Sequence, residues 1–143
     1  EITAVLAHEV GHYKKKHILQ SMVLSVIQLG VLFYLFGWLS QSDALAGALG
    51  ATSNNFHLAL VAFSMLYSPV SMFVGVLMHV FSRKNEYEAD RYARDTYNGL
   101  PLISGLKKMS VKHLSNLQPH PAYVFMNYSH PTLLQRIRNI QAA

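Results

Sequence analysis

Two uncharged stretches decide the fold of this chain: LQSMVLSVIQLGVLFYLFGWL at residues 19–39 and FHLALVAFSMLYSPVSMFVGVLMHVF at residues 56–81. From His17 to Ser82 there is no lysine or arginine, and Asp43 is the one acidic residue. As helices the stretches would be about 31 and 39 Å long, enough to cross a hydrocarbon core of about 30 Å. A soluble domain of this size has too little other chain to bury both. The sequence therefore predicts an all-α integral-membrane protein with two spans.

The segment between the stretches, residues 40–55, is short, polar and free of basic residues, as expected for a hairpin connection. Basic residues lie outside both spans, so the positive-inside rule predicts that the flanks are cytoplasmic and the hairpin tip is outside. The formal net charge of +5 then reflects anchoring at lipid headgroups rather than nucleic-acid binding. A hairpin also returns the chain to its starting side. The flanking basic residues are Lys14, Lys15, Lys16, Arg83, Lys84, Arg91 and Arg94.

Residues 8–12 read His-Glu-Val-Gly-His, the H-E-x-x-H pattern of metal-dependent hydrolases. Apolar residues at helical spacing around the pattern predict a helix over residues 1–18. On such a helix His8 and His12 share a face and could hold one divalent ion. Zinc lowers the pKa of a bound water to about 7, and Glu9 could accept the proton of that water. The alternative is a buried helix that carries two histidines beside an acid.

The segment after the second stretch, residues 82–97, is predicted to be a helix that ends before Asn98-Gly99. Glu86 and Asp90 share one face of it, whereas Glu88 points roughly the opposite way. A catalytic zinc with two histidine ligands needs one more protein ligand, which Glu86 could supply. Asp90 could accept the free ring N–H of a ligand histidine, most simply His8. The alternative is a solvated acidic face.

Residues 98–143 are predicted to form C-terminal helices, with Pro131 at the first position of the last of them. His130, at the mouth of that helix, could stabilise the oxyanion of a tetrahedral intermediate, or could simply be a polar cap. Arg136 lies off the apolar stripe of the helix, so it is either a surface residue or a partner of Glu86 or Asp90.

Other features limit the possibilities. The absence of cysteine excludes thiol catalysis and disulfides. His17 follows three lysines and is predicted to be a residue beside the membrane. The aromatic residues are interpreted as packing or as an interfacial belt, so no nucleic-acid partner is expected. Because the H-E-x-x-H pattern begins so close to the first residue, the chain is expected to be part of a longer protein.

The chain resembles the type I CAAX prenyl proteases, integral-membrane zinc endopeptidases of the gluzincin clan that are related to the HtpX-type proteases. Three ordered motifs carry the resemblance: His8–His12, residues 82–90, and Tyr128-Ser129-His130-Pro131 with Arg136. Thr132 departs from the family, which often has a second proline there. The resemblance implies one zinc ion per chain, with the following roles: zinc ligands His8, His12 and Glu86; general base Glu9; outer acid Asp90; substrate-facing His130; and Arg136 near the ligands.

The resemblance also implies a peptide or protein substrate, possibly prenylated at its C-terminus, from which a tripeptide is released. It implies a multi-pass protein of the endoplasmic reticulum membrane, or of the bacterial inner membrane, with the active site toward the cytoplasm. An HtpX-like quality-control protease with the same chemistry is one alternative. A membrane scaffold that keeps zinc only for structure is another, and Glu9 discriminates against it because a structural site needs no base.

Overall fold

The computed structural model describes residues 1–50, 52 and 55–142. Within these ranges every regular element is an α-helix and there is no strand, so the predicted all-α class is confirmed. Ala51, Ser53 and Asn54 of the predicted loop, and Ala143 at the end of the predicted C-terminal helices, lie outside the described residues. The helices are α1 (Ile2–Lys14), α2 (His17–Leu39), α3 (Asp43–Ala48), α4 (Phe56–Thr96), α5 (Gly99–Lys112), α6 (Pro121–Asn127) and α7 (Leu133–Gln141).

Two of the described helices, α2 and α4, are long and apolar enough to cross a membrane by length and composition. They have 23 and 41 residues, and none of the most apolar window of α2 is buried inside the protein. A core helix of a soluble protein would be covered on most sides. The exposure of α2 therefore agrees with a helix that faces lipid.

The first predicted boundary, between residues 18 and 19, lies earlier in the structure. α1 ends at Lys14, and Lys16 has a φ of 58°, in the left-handed region. A residue in this conformation ends a helix because it turns the chain out of the α geometry. α2 then begins at His17, inside the segment predicted to belong to the H-E-x-x-H helix.

The predicted second span and the predicted third-ligand helix form one continuous helix, α4. No glycine or proline occurs between residues 76 and 96, so nothing in the sequence breaks the helix after the apolar part. Asn98 separates α4 from α5, because its side-chain oxygen accepts a hydrogen bond from the Leu100 N–H at 2.9 Å. The predicted loop at residues 40–55 also differs, since it contains the short helix α3.

Residues 1–19 and 75–143 form one compact unit. Its core lies where α5 packs against α1 and α7. On α1 the buried side is made of Ala4, His8 and Gly11, whereas much of the apolar stripe that predicted the helix is exposed. The buried core residues are Ala4, Ala93, Leu102, Ile103, Leu106 and Ile140.

Small residues bring α1 very close to α4. A Cβ atom added at Gly11 would lie 3.2 Å from both the Cα and the carbonyl oxygen of Ala89, and 3.2 Å from the Cβ of Tyr92. Ala89 is fully buried. The two helices therefore meet backbone to backbone, between the two histidines of α1 and beside the acidic residues of α4.

α7 begins at Leu133, not at Pro131 as predicted from the sequence. Thr132 is the N-cap, and it forms a capping box with Gln135: each side chain bonds the backbone N–H of the other residue. Pro131 lies one residue before this cap. The threonine that departs from the family pattern thus has a structural role at the start of the helix that carries Arg136.

Residues 20–74 form the second compact unit. Within it the aromatic rings of Phe36 and Phe63 lie 5.2 Å apart, and those of Phe36 and Phe56 lie 5.9 Å apart, centroid to centroid. Leu45 and Ala46 of α3 are buried. Aromatic pairs at this separation hold the helices of the hairpin together.

Candidate metal centre

The side chains of His8, His12 and Glu86 converge, with the candidate ligand atoms within 4.8 Å of one another. The two Nε2 atoms are 3.1 Å apart, Glu86 Oε1 lies 3.3 Å from His12 Nε2, and Glu86 Oε2 lies 3.7 Å from His8 Nε2. Ligands at about 2.05 Å from a tetrahedral zinc ion are about 3.3 Å from one another. These nearest separations, which involve both oxygens of Glu86, bracket this value, and the donor set of two imidazoles and one carboxylate suits zinc.

Two helices supply these three groups. His8 and His12 are one turn apart on α1, and Glu86 projects from α4 one turn before Asp90. His8 and Glu86 are buried, at 6% and 5% exposure. The sequence prediction that the chain returns a carboxylate to the two histidines therefore agrees with the structure.

His8 is oriented by a buried ion pair. Its Nδ1 lies 2.9 Å from Asp90 Oδ1, while Arg136 donates to both oxygens of Asp90, at 2.6 and 2.9 Å. Asp90 is fully buried. Because an ionised carboxylate only accepts, His8 must donate from Nδ1, which leaves the Nε2 lone pair directed at the centre.

The environment keeps Asp90 ionised. Burial raises its pKa, but the hydrogen bonds from His8 and Arg136 outweigh burial and leave the pKa of Asp90 below its ordinary value. Asp90 is thus an acceptor for His8, as the sequence analysis expected.

Glu86 is contacted from a third segment of the chain. His130 Nδ1 lies 3.2 Å from Glu86 Oε1, and Arg136 Nη1 lies 3.4 Å from Glu86 Oε2. Burial raises the pKa of Glu86, but the His130 hydrogen bond and the Arg136 charge outweigh it, so the net shift is downward. Of the two alternatives for Arg136, the structure shows the second: its side chain is 12% exposed and contacts both Glu86 and Asp90.

A cavity of about 610 Å³ opens onto this centre. Glu9 is exposed on α1 and lines the cavity together with the three candidate ligands. His130 also lines it, with a side chain that is 66% exposed. The remaining wall is largely apolar, formed by Val5, Ile18, Leu102, Leu106 and Met109. Glu9, His130 and the three candidate ligands therefore share one solvent-accessible space.

Sequence reasoning missed two residues next to the centre. His17 was predicted only to lie beside the membrane, which stays a prediction; the structure shows that it is buried and that its Nδ1 lies 3.1 Å from His12 Nδ1. Its Nε2 lies 3.4 Å from Glu88, the acid predicted to point away. Residues five apart do not share a helix face, so the spacing of His12 and His17 gives no signal in the sequence. The two rings meet because the left-handed Lys16 interrupts the helix between them. A buried imidazole between two polar partners is visible only in three dimensions.

The centre combines two imidazoles and a carboxylate around a space wide enough for one ion. An exposed acid, Glu9, lies at the rim of the same cavity. This combination defines the class of metal-dependent hydrolases. This centre lies on α1, predicted from the H-E-x-x-H pattern, and on the part of α4 where Glu86 and Asp90 were predicted to share a face. The chain belongs to Peptidase family M48, whose family model matches residues 1–143.

Individual relatives agree with the family. The chain is 37% identical over 142 residues to a CAAX prenyl protease 1 homolog of Dictyostelium discoideum, covering 98% of this chain and 33% of the relative. It is 30% identical over 152 residues to CAAX prenyl protease 1 of Saccharomyces cerevisiae, covering 96% of this chain and 34% of the relative. The resemblance identified from the motifs is confirmed.

A solved structure has the same fold. The crystal structure of S. mikatae Ste24p matches with a TM-score of 0.86 and 29% sequence identity, covering 99% of this chain and 36% of that chain. The chain thus spans about a third of the length of the proteins it matches.

Proposed function

We propose that this protein is a zinc-dependent membrane endopeptidase in which His8, His12 and Glu86 bind the metal. The observation that carries the proposal is the convergence of His8, His12 and Glu86, with their ligand atoms within 4.8 Å of one another, at the edge of a cavity that Glu9 also lines. When bound, zinc would supply Lewis acidity and lower the pKa of a water to about 7. A zinc-stabilised scaffold is disfavoured, because it has no use for an exposed acid at this cavity.

The chain's own groups would move the protons and support the substrate. Glu9 would accept the proton of the attacking water and deliver it to the leaving amine. His130, at the rim of the cavity, would offer a donating or positively charged ring to the developing oxyanion. Asp90 and Arg136 would hold the ring of His8 in its productive orientation.

The proposed substrate is a peptide or protein with a prenylated C-terminal CAAX sequence. Support comes from the relatives, which are named CAAX prenyl protease 1 or its homologs. These names favour that substrate class over quality-control cleavage. The apolar side chains of the cavity wall are compatible with a substrate that carries apolar groups.

We further propose that the protein is multi-pass, with α2 and the apolar part of α4 in the bilayer and the metal site toward the cytoplasm. The long apolar helices and the basic flanks at Lys14–Lys16 and Arg83–Lys84 support this orientation. In a eukaryote the membrane would be that of the endoplasmic reticulum, and in a bacterium the inner membrane.

The base is tested by Glu9→Gln in the full-length protein. We expect zinc content to be unchanged by elemental analysis, and cleavage of a farnesylated CAAX peptide to fall by about 10²–10⁴-fold, the usual contribution of a general base. Asp95→Asn, at an exposed acid on α4, is the matched control and should leave both quantities unchanged. Wild-type turnover by Glu9→Gln would remove Glu9 from the mechanism.

The ligand set is tested by single alanine variants of His8, His12 and Glu86, with His113→Ala as a control because His113 is exposed at the end of α5. Each ligand variant should lower zinc occupancy, and the control should not. Normal metal content in Glu86→Ala would overturn the third ligand. Unmodified peptides in the same assay test the substrate class, since equal cleavage of both would favour quality control.

A further inference from the structure

Each candidate histidine ligand has a different partner on the side of the ring away from the centre. His8 Nδ1 lies against the carboxylate of Asp90, at 2.9 Å. His12 Nδ1 lies against another imidazole, His17 Nδ1, at 3.1 Å. His17 in turn places its Nε2 3.4 Å from Glu88 Oε2. The support for His12 is therefore a two-step chain that ends in an acid on α4.

The protonation of this chain has one consistent arrangement. If His12 uses its Nε2 lone pair toward the metal, its neutral ring carries the proton on Nδ1. His17 Nδ1 must then accept, so the neutral His17 ring carries its proton on Nε2. That nitrogen faces Glu88, which as a carboxylate only accepts. Each group has one role, and reversing either ring would leave two donors or two lone pairs in contact.

Burial makes this arrangement consequential. The side chain of His17 is 4% exposed and that of His12 is 18% exposed, so water has little access to take the place of either partner. An unsatisfied buried donor costs about 1–3 kcal/mol. The turn at Lys16, with its φ of 58°, starts α2 at His17 and leaves the imidazole facing α1. Lys84 contacts the other oxygen of Glu88 at 3.9 Å, so Oε2 is available to His17.

We propose that His17 and Glu88 are positioning residues for the metal site: Glu88 fixes the His17 tautomer, and His17 fixes the tautomer and ring orientation of His12. This proposal rests on the proposed metal-binding role of His12. Removing an outer partner of a histidine ligand typically lowers metal affinity by about 10–100-fold.

The experiment compares His17→Asn with His17→Phe in the full-length protein. The asparagine oxygen can accept where His17 Nδ1 accepts, whereas phenylalanine keeps the ring shape without an acceptor. Zinc affinity is measured by chelator competition. We expect His17→Phe to bind zinc about 10–100-fold more weakly and His17→Asn to stay within about threefold of wild type. His113→Phe is the matched control at an exposed histidine.

Three further readouts separate positioning from structural support. The visible spectrum of the Co²⁺-substituted protein should change in His17→Phe and not in His17→Asn. The metal-free form of His17→Phe should lose no more stability than the about 1–3 kcal/mol that one unsatisfied buried donor costs. Zinc affinity in Glu88→Leu should fall, with little further loss when His17→Phe is added, because the two residues act in series.

Three results would count against the proposal. Equal zinc affinity in wild type and His17→Phe would overturn the positioning role alone. Equal losses of zinc affinity in His17→Asn and His17→Phe, together with a loss of stability in the metal-free protein beyond about 1–3 kcal/mol, would assign His17 to packing. Failure of the wild type itself to bind zinc would remove the proposed function along with this inference.

Discussion

The contact between Gly11 and Ala89 predicts that replacing Gly11 by alanine will damage the metal site without touching a ligand. The added Cβ would lie 3.2 Å from the Ala89 backbone and from Tyr92 Cβ. Carbon atoms pack best at about 3.5–4.0 Å, so α1 must move from α4 by about 0.3–0.8 Å. Backbone atoms cannot rotate away as a flexible side chain can.

The size of this displacement decides its effect. Metal–ligand distances tolerate changes of about 0.2 Å, and the two histidines are on the helix that moves while Glu86 is on the helix that stays. Zinc affinity should therefore fall by about tenfold or more, as after loss of an outer partner. For stability, an overpacking cost of about 1–3 kcal/mol is opposed by about 1 kcal/mol of helix propensity gained by alanine. Gly11→Ala should thus be destabilised by about 0–2 kcal/mol.

The matched control is Gly105→Ala, in the interior of α5. A Cβ there would meet Val5 and Glu1 at 3.8 and 3.9 Å, which is ordinary contact. This variant should gain about 0.5–1 kcal/mol of stability and keep its zinc affinity. Both variants are compared in detergent by thermal unfolding and by chelator competition. If Gly11→Ala binds zinc like wild type and unfolds no earlier, close packing of α1 on α4 does not set the ligand geometry.

Three further substitutions test other contacts. Asp90→Asn removes one of the two carboxylates that Arg136 contacts, together with charged hydrogen bonds to Arg136 and His8. It should cost about 1.5–3 kcal/mol in denaturant unfolding and lower zinc affinity; unchanged values would show that the pair is dispensable. Arg83 donates to three backbone carbonyls at the end of α6 and just after it. Arg83→Met should keep the zinc content. It should lower kcat or raise KM, because the segment before His130 loses the side chain that holds it, and unaltered kinetics would contradict this. Gly99→Ala places a Cβ 2.6 Å from Ile140 Cγ2. The free energy of unfolding should fall by about 1–3 kcal/mol, measured by thermal unfolding, and a stabilised variant would refute the clash.

Much of the site could be predicted because it depends on local rules. Helical periodicity places His8 beside His12, and Glu86 beside Asp90, whatever surrounds them. Read as two membrane spans, the apolar stretches predict that the chain returns to the side where it started. That return predicts that the two helices lie near each other, and the structure places their ligand side chains together.

The rest depends on tertiary packing that no periodicity reports. His17 faces His12 only because Lys16 adopts a left-handed conformation, which the run Lys14-Lys15-Lys16 does not predict. Arg136 reaches both acids because α7 docks on α5, a contact between segments separated by an unpredicted turn and the short helix α6. The start of α7 was misplaced because the capping box of Thr132 competes with Pro131, and the cap sets the boundary.

The position of Arg136 bears on the stability of the metal-free protein. If an ion leaves, Glu86 still lies beside Arg136 and His130, and Asp90 still pairs with Arg136. Each buried carboxylate therefore keeps a positively charged partner. A small zinc finger unravels on chelation because the metal supplies its folding energy. Here the metal-free protein should instead stay folded and keep the ability to bind zinc again.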